Sequence, residues 1–154
     1  MSTYSFLDVQ AAITGPGGGF LLGSGEGAAE EGITIAAAGD KSTMTIGAGG
    51  DGMHSLHGDT SGTVTVRLLK TSPVNAMLSE MYAFQTNSSI THGQNVLVLR
   101  DIARGDTVSC RNVAFKKFPD LQYAKEGGNV EWVFDALYID RFLGVGAPDL
   151  TGLL

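Results

Sequence analysis

Apolar residues recur at every second position along most of this 154-residue chain, and that spacing constrains the fold more than any other feature. A period of two belongs to half-buried strands, because successive side chains of an extended backbone point to opposite faces. In the first segment Leu7, Val9, Ala11 and Ile13 share a side, with Asp8 and Gln10 opposite. The run Gly15-Pro16-Gly17-Gly18-Gly19 then interrupts the chain before Phe20-Leu21-Leu22, which predicts a hairpin. Ile33 and Ile35 mark a third short strand. Between 63 and 70, Val64, Val66 and Leu68 alternate with Thr65 and Arg67. Val96-Leu97-Val98-Leu99 is apolar on both sides, as expected of a strand covered twice. Val108 and Cys110 are out of phase with Val113 and Phe115, and a β-bulge near Arg111-Asn112 accounts for the slip. The last strand sets Val130, Trp132, Phe134, Ala136 and Tyr138 against Glu131, Val133, Asp135, Leu137 and Ile139.

Only one segment carries a helical period. Ser72 suits an N-cap and Pro73 the first helical position, and Val74, Met77, Leu78 and Met81 then fall on one stripe. Thr86-Asn87-Ser88-Ser89 ends it. The glycine-rich stretch 36–62 reads as a long loop whose one convincing strand is Thr43-Met44-Thr45-Ile46. Residues 144–154 read as a flexible C-terminal tail. The pattern predicts a mainly β protein: an antiparallel β-sandwich or partial barrel with one flanking α-helix, in a single domain over 1–154. Several strands are apolar on both faces, more than a lone small sandwich needs, which points to burial by neighbouring subunits.

Charge and length exclude several classes. The net charge of −6 leaves no overall basic footprint for gripping nucleic acid. No apolar run is long enough for a membrane helix, no secretory leader is expected, and a single cysteine forbids an internal disulfide.

Candidate chemistry is sparse. Gly39-Asp40-Lys41-Ser42 places an aspartate where a phosphate loop needs glycine, so its carboxylate opposes phosphate. His54, His57 and His92 are the conceivable ligands of a small metal-dependent hydrolase, but in extended chain a three-residue offset sends His54 and His57 to opposite faces. Cys110 sits mid-strand with no adjacent base and reads as a small buried hydrophobe. The carboxylate pairs Glu30-Glu31 and Asp101/Asp106 fall in turns without a pocket to separate their acidities. Arg111, Lys116, Lys117 and Lys125 form the one basic concentration, better suited to a neighbour's carboxylates than to phosphate. No catalytic constellation, metal site or cofactor site is expected, and the chain is not expected to be an enzyme.

Several of these segments together resemble a known family. They are Tyr4-Ser5-Phe6-Leu7-Asp8-Val9 with the Gly-Pro-Gly-Gly turn, Ala29-Glu30-Glu31-Gly32-Ile33-Thr34-Ile35, and Asp40-Lys41 with Met44-Thr45-Ile46-Gly47. Met53-His54-Ser55-Leu56-His57, the run from Gly62 to Asn75, Val113 to Asp120, and Glu131-Trp132 complete the set. Over roughly residues 4 to 149 the chain resembles the tail-tube (inner tube) proteins of contractile-tailed bacteriophages, a family of phage structural proteins. The resemblance implies a homo-oligomer of hexameric rings, stacked head to tail into a hollow conduit for DNA ejection. Each subunit then contributes strands to one continuous barrel of about 24 strands, wide enough for an open bore. The implied partners are the tail sheath protein, baseplate and tail-terminator proteins, and the tape measure protein and genomic DNA inside the lumen, with no membrane. The implied location is the virion tail, after synthesis in the host bacterial cytoplasm. A tailocin or type VI-like injection device is the alternative setting for such a subunit. On this reading the loop at 36–62 bridges rings through Asp40, Lys41, Ser42, Thr43, Met44 and Thr45. Glu131 and Asp135 are candidate lumen acids that repel phosphate, and Val74, Met77, Leu78 and Met81 are the subunit-packing face of the helix.

Overall fold

Alternating residues do form strands throughout the computed structural model, which describes residues 4, 5, 8–23 and 28–144. β1 (Val9–Gly15) and β2 (Gly18–Gly23) make the expected hairpin, with Gly17 and Gly18 at φ of 99° and 139°, where a side chain would be strained. β3 (Ala28–Ala37), β4 (Ser42–Ile46), β5 (Gly52–Leu56) and β6 (Gly62–Leu69) follow. The helix α1 (Val74–Gln85) then leads into β7 (Asn95–Asp101), β8 (Asp106–Lys117) and β9 (Asn129–Phe142). Seven strands form one antiparallel sheet in the order β2-β1-β7-β8-β9-β6-β3, and among the described residues β4 and β5 pair only with each other. The large sheet curls as a half-barrel. Of the two expected forms, the partial barrel is the one adopted.

One face of the sheet holds the core. Ile13, Leu22, Val64, Val66, Leu97, Val113, Trp132 and Phe134 are all buried there, together with Leu78 and Met81 from α1. Aromatic rings knit the helix to the sheet: Phe115 meets Tyr82 and Trp132 edge-on at 5.5 and 5.9 Å, and Phe118 caps the same pair. The indole N–H of Trp132 donates to Asn75 Oδ1 at 3.0 Å, so its polar edge is satisfied at the helix start.

The bulge in β8 is present. Asn112 has φ of 51°, and opposite β7 the register jumps from Leu97↔Cys110 to Asn95↔Val113. Its consequence reaches β9, where the expected face fails beyond Ala136. Ile139 is buried and Tyr138 is exposed, the reverse of strict alternation. Cross-strand partners share a face, and Val113↔Ala136 and Cys110↔Ile139 are partners. A slip of one residue in β8 therefore requires a matching slip in β9.

The helix begins one residue later than expected, with Pro73 at the cap position and Val74 as its first residue. Ser72 Oγ accepts from the Val74 N–H at 3.3 Å, and Pro73 already has helical dihedrals. The stripe is corrected in part: Leu78 and Met81 are buried in the chain's own core, Val74 is half-buried, and Met77 is exposed. The fourth inward position is Gln85, fully buried and bonded reciprocally to Asn95 at 2.7 Å in each direction. Its Nε2 also donates to the Pro16 carbonyl at 2.8 Å, joining the helix end, the β1–β2 turn and the start of β7.

The segment 36–62 departs most from expectation. It holds two paired strands, in register from Ser42↔Leu56 to Ile46↔Gly52, so it is a hairpin arm. The expected flexible tail at 144–154 lies outside the described residues beyond Gly144, as does Leu7 of the first apolar face.

Trp132→Ala is expected to destabilise the subunit by about 3–5 kcal/mol, since it removes a fully buried ring from the aromatic cluster. Chemical denaturation with a far-UV readout checks this, and a change below about 1 kcal/mol would contradict the assigned core.

Candidate functional site

Among the described residues, the features left without a partner are surfaces. The first is the β4–β5 arm. Its root is fixed to the body by Ala38 N–H to the Ser61 carbonyl at 3.1 Å and by Ile139 N–H to the Thr60 carbonyl at 3.0 Å. Asp59 closes this root as a local turn: hydrogen bonds from the Ser61 hydroxyl and N–H hold its carboxyl below the usual range. Beyond the root nearly every position of both strands is exposed. Met44 and Ile46 share a face with Leu56 and His54, while Thr43 and Thr45 share the other with Ser55 and Met53. Of the expected bridging residues, Asp40 and Lys41 stand at the arm's base and Ser42, Thr43, Met44 and Thr45 form β4. The second strand, β5, escaped the sequence because Met53 to Leu56 does not alternate. Its one signal was Gly49-Gly50-Asp51, a turn between two short runs, where Gly50 takes φ of 90°.

The second surface is the open face of the large sheet. Glu131 and Asp135 both lie there, exposed, as their spacing predicts. Glu131 sits 3.6 Å from Arg67 Nε, and Arg67 also donates to Thr34 Oγ1 at 2.9 Å. This face is therefore mixed in charge, and Glu131 acts beside a cation. Asp135 borders a shallow cleft of about 320 Å³ with Thr63, Asn112 and Ala114. Val96, expected to be covered, is exposed on this side of β7, where no second layer lies over it among the described residues.

The third surface is the pair of sheet edges. β2 and β3 end the order, each paired on one side only among the described residues. An unpaired edge offers a row of N–H and C=O groups to another strand.

The candidate chemistry does not converge. His54 and His57 face opposite sides of the arm, and the His57 ring lies 3.1 Å from Thr43 Oγ1. His92 follows α1, with its backbone N–H on the Ser88 carbonyl. Among the described residues, no group of three or more His, Cys, Asp or Glu is placed to hold a metal ion. Asp101 and Asp106 are opposite each other in register and serve the local turn: Asp101 receives the Arg104 N–H, and Asp106 receives the Gly144 N–H at 2.8 Å. The side chains of Glu30 and Glu31 lie outside the described residues. The basic concentration divides, with Arg111 held 3.3 Å from Asp140 in mid-sheet and Lys116, Lys117 and Lys125 at the far end of β8 and in the loop after it. Cys110 is fully buried, and that burial pushes its thiol up to about 11.

Comparison with known proteins places these surfaces in context. The family model described as Bacteriophage PhiTE tail tube protein matches residues 1–144. None of the curated proteins compared with the chain matches it in sequence. Among solved structures, the tube-terminating cap of the anti-feeding prophage has a TM-score of 0.56 at 10% identity, covering 94% of this chain and 93% of that one. A chain of that system's sixfold-symmetrised baseplate has a TM-score of 0.54 at 9% identity, covering 93% and 97%. A chain of the PVC sheath–tube complex, an extracellular contractile injection system in its extended state, has a TM-score of 0.52 at 9% identity, covering 87% and 88%. These likenesses are of fold.

Because burial keeps the Cys110 thiol protonated at neutral pH, it is expected to resist maleimide and disulfide reagents in the native subunit at pH 8 and to react on denaturation. Rapid native labelling, followed by mass spectrometry, would contradict the buried assignment.

Proposed function

This chain belongs to the bacteriophage PhiTE tail tube protein family and is a structural subunit of a tail tube, and from that premise we propose how it builds one. Copies close head to tail into a hexameric ring, with β2 of one subunit beside β3 of the next, so that strands from all six half-barrel sheets line one bore. A heterologous contact that closes in this way removes the exposed edges. Rings then stack, the arm at 36–62 reaching from one ring to its neighbour. The sixfold order follows that of the baseplate assembly to which the fold is similar. The observation that carries this reading is the open sheet, whose two edges are each half-paired and whose free face exposes Val96, Leu137 and Tyr138.

The work of such a subunit is confinement, with no turnover. A bore that gripped DNA would stall it, so Asp135 and Glu131 are suited to the lumen, where carboxylates repel phosphates. Arg67 beside Glu131 moderates that field. Met77 is the one residue of the proposed subunit-packing stripe left exposed for a neighbour. The single tail-tube domain then works within the virion tail, after synthesis in the host cytoplasm. Sheath, baseplate and tail-terminator proteins contact its outside and ends, and the tape measure protein and the genome pass within. The fold likeness to injection-system components favours one second setting, a tailocin or type VI-like device that carries no genome.

Purified protein is expected to pass from monomers to rings and tubes as concentration rises, seen by sedimentation and negative-stain microscopy. Strict monomers at high concentration would overturn the reading. Replacing 42–56 by a short Gly/Ser turn is expected to leave the far-UV spectrum of the sheet intact and to abolish tubes. Tubes of normal length from that variant would remove the arm from stacking.

A further inference from the structure

The arm and one particular loop lie at opposite ends of the same strand. β6 starts at Gly62, beside the root of the arm, and ends at Leu69, opposite Asn129. An eight-residue strand spans about 23 Å. At its far end lies the loop 118–128, which connects β8 to β9 and is exposed apart from Pro119.

Lys70 gives this loop its shape. Its backbone N–H donates to the Gly128 carbonyl at 3.2 Å. Its ammonium donates to the Gln122 carbonyl and lies 3.6 Å from the centre of the Tyr123 ring. Lys117 and Asp120 are 3.9 Å apart at the loop's start. Between the loop and Lys70 is a cleft of about 130 Å³ bordered by Asp120, Leu121, Gln122 and Glu126. The loop is therefore held, yet Leu121 is 52% and Tyr123 81% exposed.

The arm complements it. Met44, Ile46 and Leu56 share one of its faces at 61%, 61% and 80% exposure. Residues 38–61 carry three aspartates against one lysine, a net −2 with both histidines neutral. Residues 116–128 with Lys70 carry four lysines against one aspartate and one glutamate, a net +2. Opposite charges and apolar groups at opposite ends of a subunit are what a repeating head-to-tail contact requires.

We propose that the loop 118–128, shaped by Lys70, is the receptor on which the β4–β5 arm of a second copy docks, Met44, Ile46 and Leu56 against Leu121 and Tyr123. This rests on the tube reading and names the receiving surface within it. It also accounts for Lys116, Lys117 and Lys125, a basic cluster at one end of an acidic chain.

Hydrogen exchange on the wild-type protein, tubes against free subunits, tests it. Amides of 42–56 and of 118–128 are expected to slow together, by about tenfold or more, on assembly. A second measurement uses Ala48→Cys with Ala124→Cys and a short bis-maleimide, Cys110 being buried and protonated. Tubes of the double variant are expected to give a ladder of covalent dimers, trimers and longer chains under denaturing electrophoresis, and each single variant none. Tubes in which 118–128 exchanges as fast as in the free subunit, or whose two cysteines are labelled without a ladder, overturn the receptor and leave the tube intact. Failure of the wild-type chain to form tubes overturns both.

Discussion

Main-chain hydrogen bonding at the edges of an open sheet governs the rest of this structure. Seven strands give six pairings, and among the described residues the outer sides of β2 and β3 are left over. Folded proteins ordinarily blunt such edges with charge, proline or a covering segment. β2, Gly18–Gly23, is Gly-Gly-Phe-Leu-Leu-Gly, without a charged residue or a proline. In a protein that works alone, that sequence is a hazard. In the tube we propose it is a joint, so that the same main-chain chemistry folds the single chain and links it to the next.

The core keeps that open sheet from collapsing on itself. The aromatic group around Trp132 ties α1 to β8 and β9 on one face, and the opposite face is left open among the described residues. The Gln85–Asn95 amide pair, buried and reciprocal, sets where the β1–β2 hairpin stands relative to the helix. Buried amides of this kind contribute modest net stability when paired but are costly to leave unpaired, so they fix one geometry over its alternatives. Gly15 belongs to the same device, since a Cβ there would overlap the Asn95 side-chain oxygen.

Much of this was legible in the sequence, and the exceptions have physical causes. The alternation of Val64, Val66 and Leu68 and the slip between Cys110 and Val113 are local signals, and both appear where the residues put them. The reversal at Tyr138 and Ile139 is not local: it follows from the β8 bulge through cross-strand pairing, which only the register reveals. Gln85 was hidden because a polar residue on an apolar stripe looks like its end, until Asn95 arrives from another strand to satisfy it. Glu131 and Asp135 were legible as sharing a face, but the neighbour that moderates Glu131 was not, since Arg67 lies 64 positions earlier. The arm was legible as a glycine-rich departure from the pattern, and its second strand was lost because an exposed hairpin has no buried face to impose alternation.

The central claim is that copies of this chain complete one another's sheet. A helical reconstruction of assembled tubes by electron cryomicroscopy, at a resolution that separates strands, tests it most directly. The account predicts continuous strand spacing of about 4.8 Å across the subunit boundary, with β2 of one copy beside β3 of the next. Subunits that meet only through loops or helices, with both edges facing solvent, would contradict it.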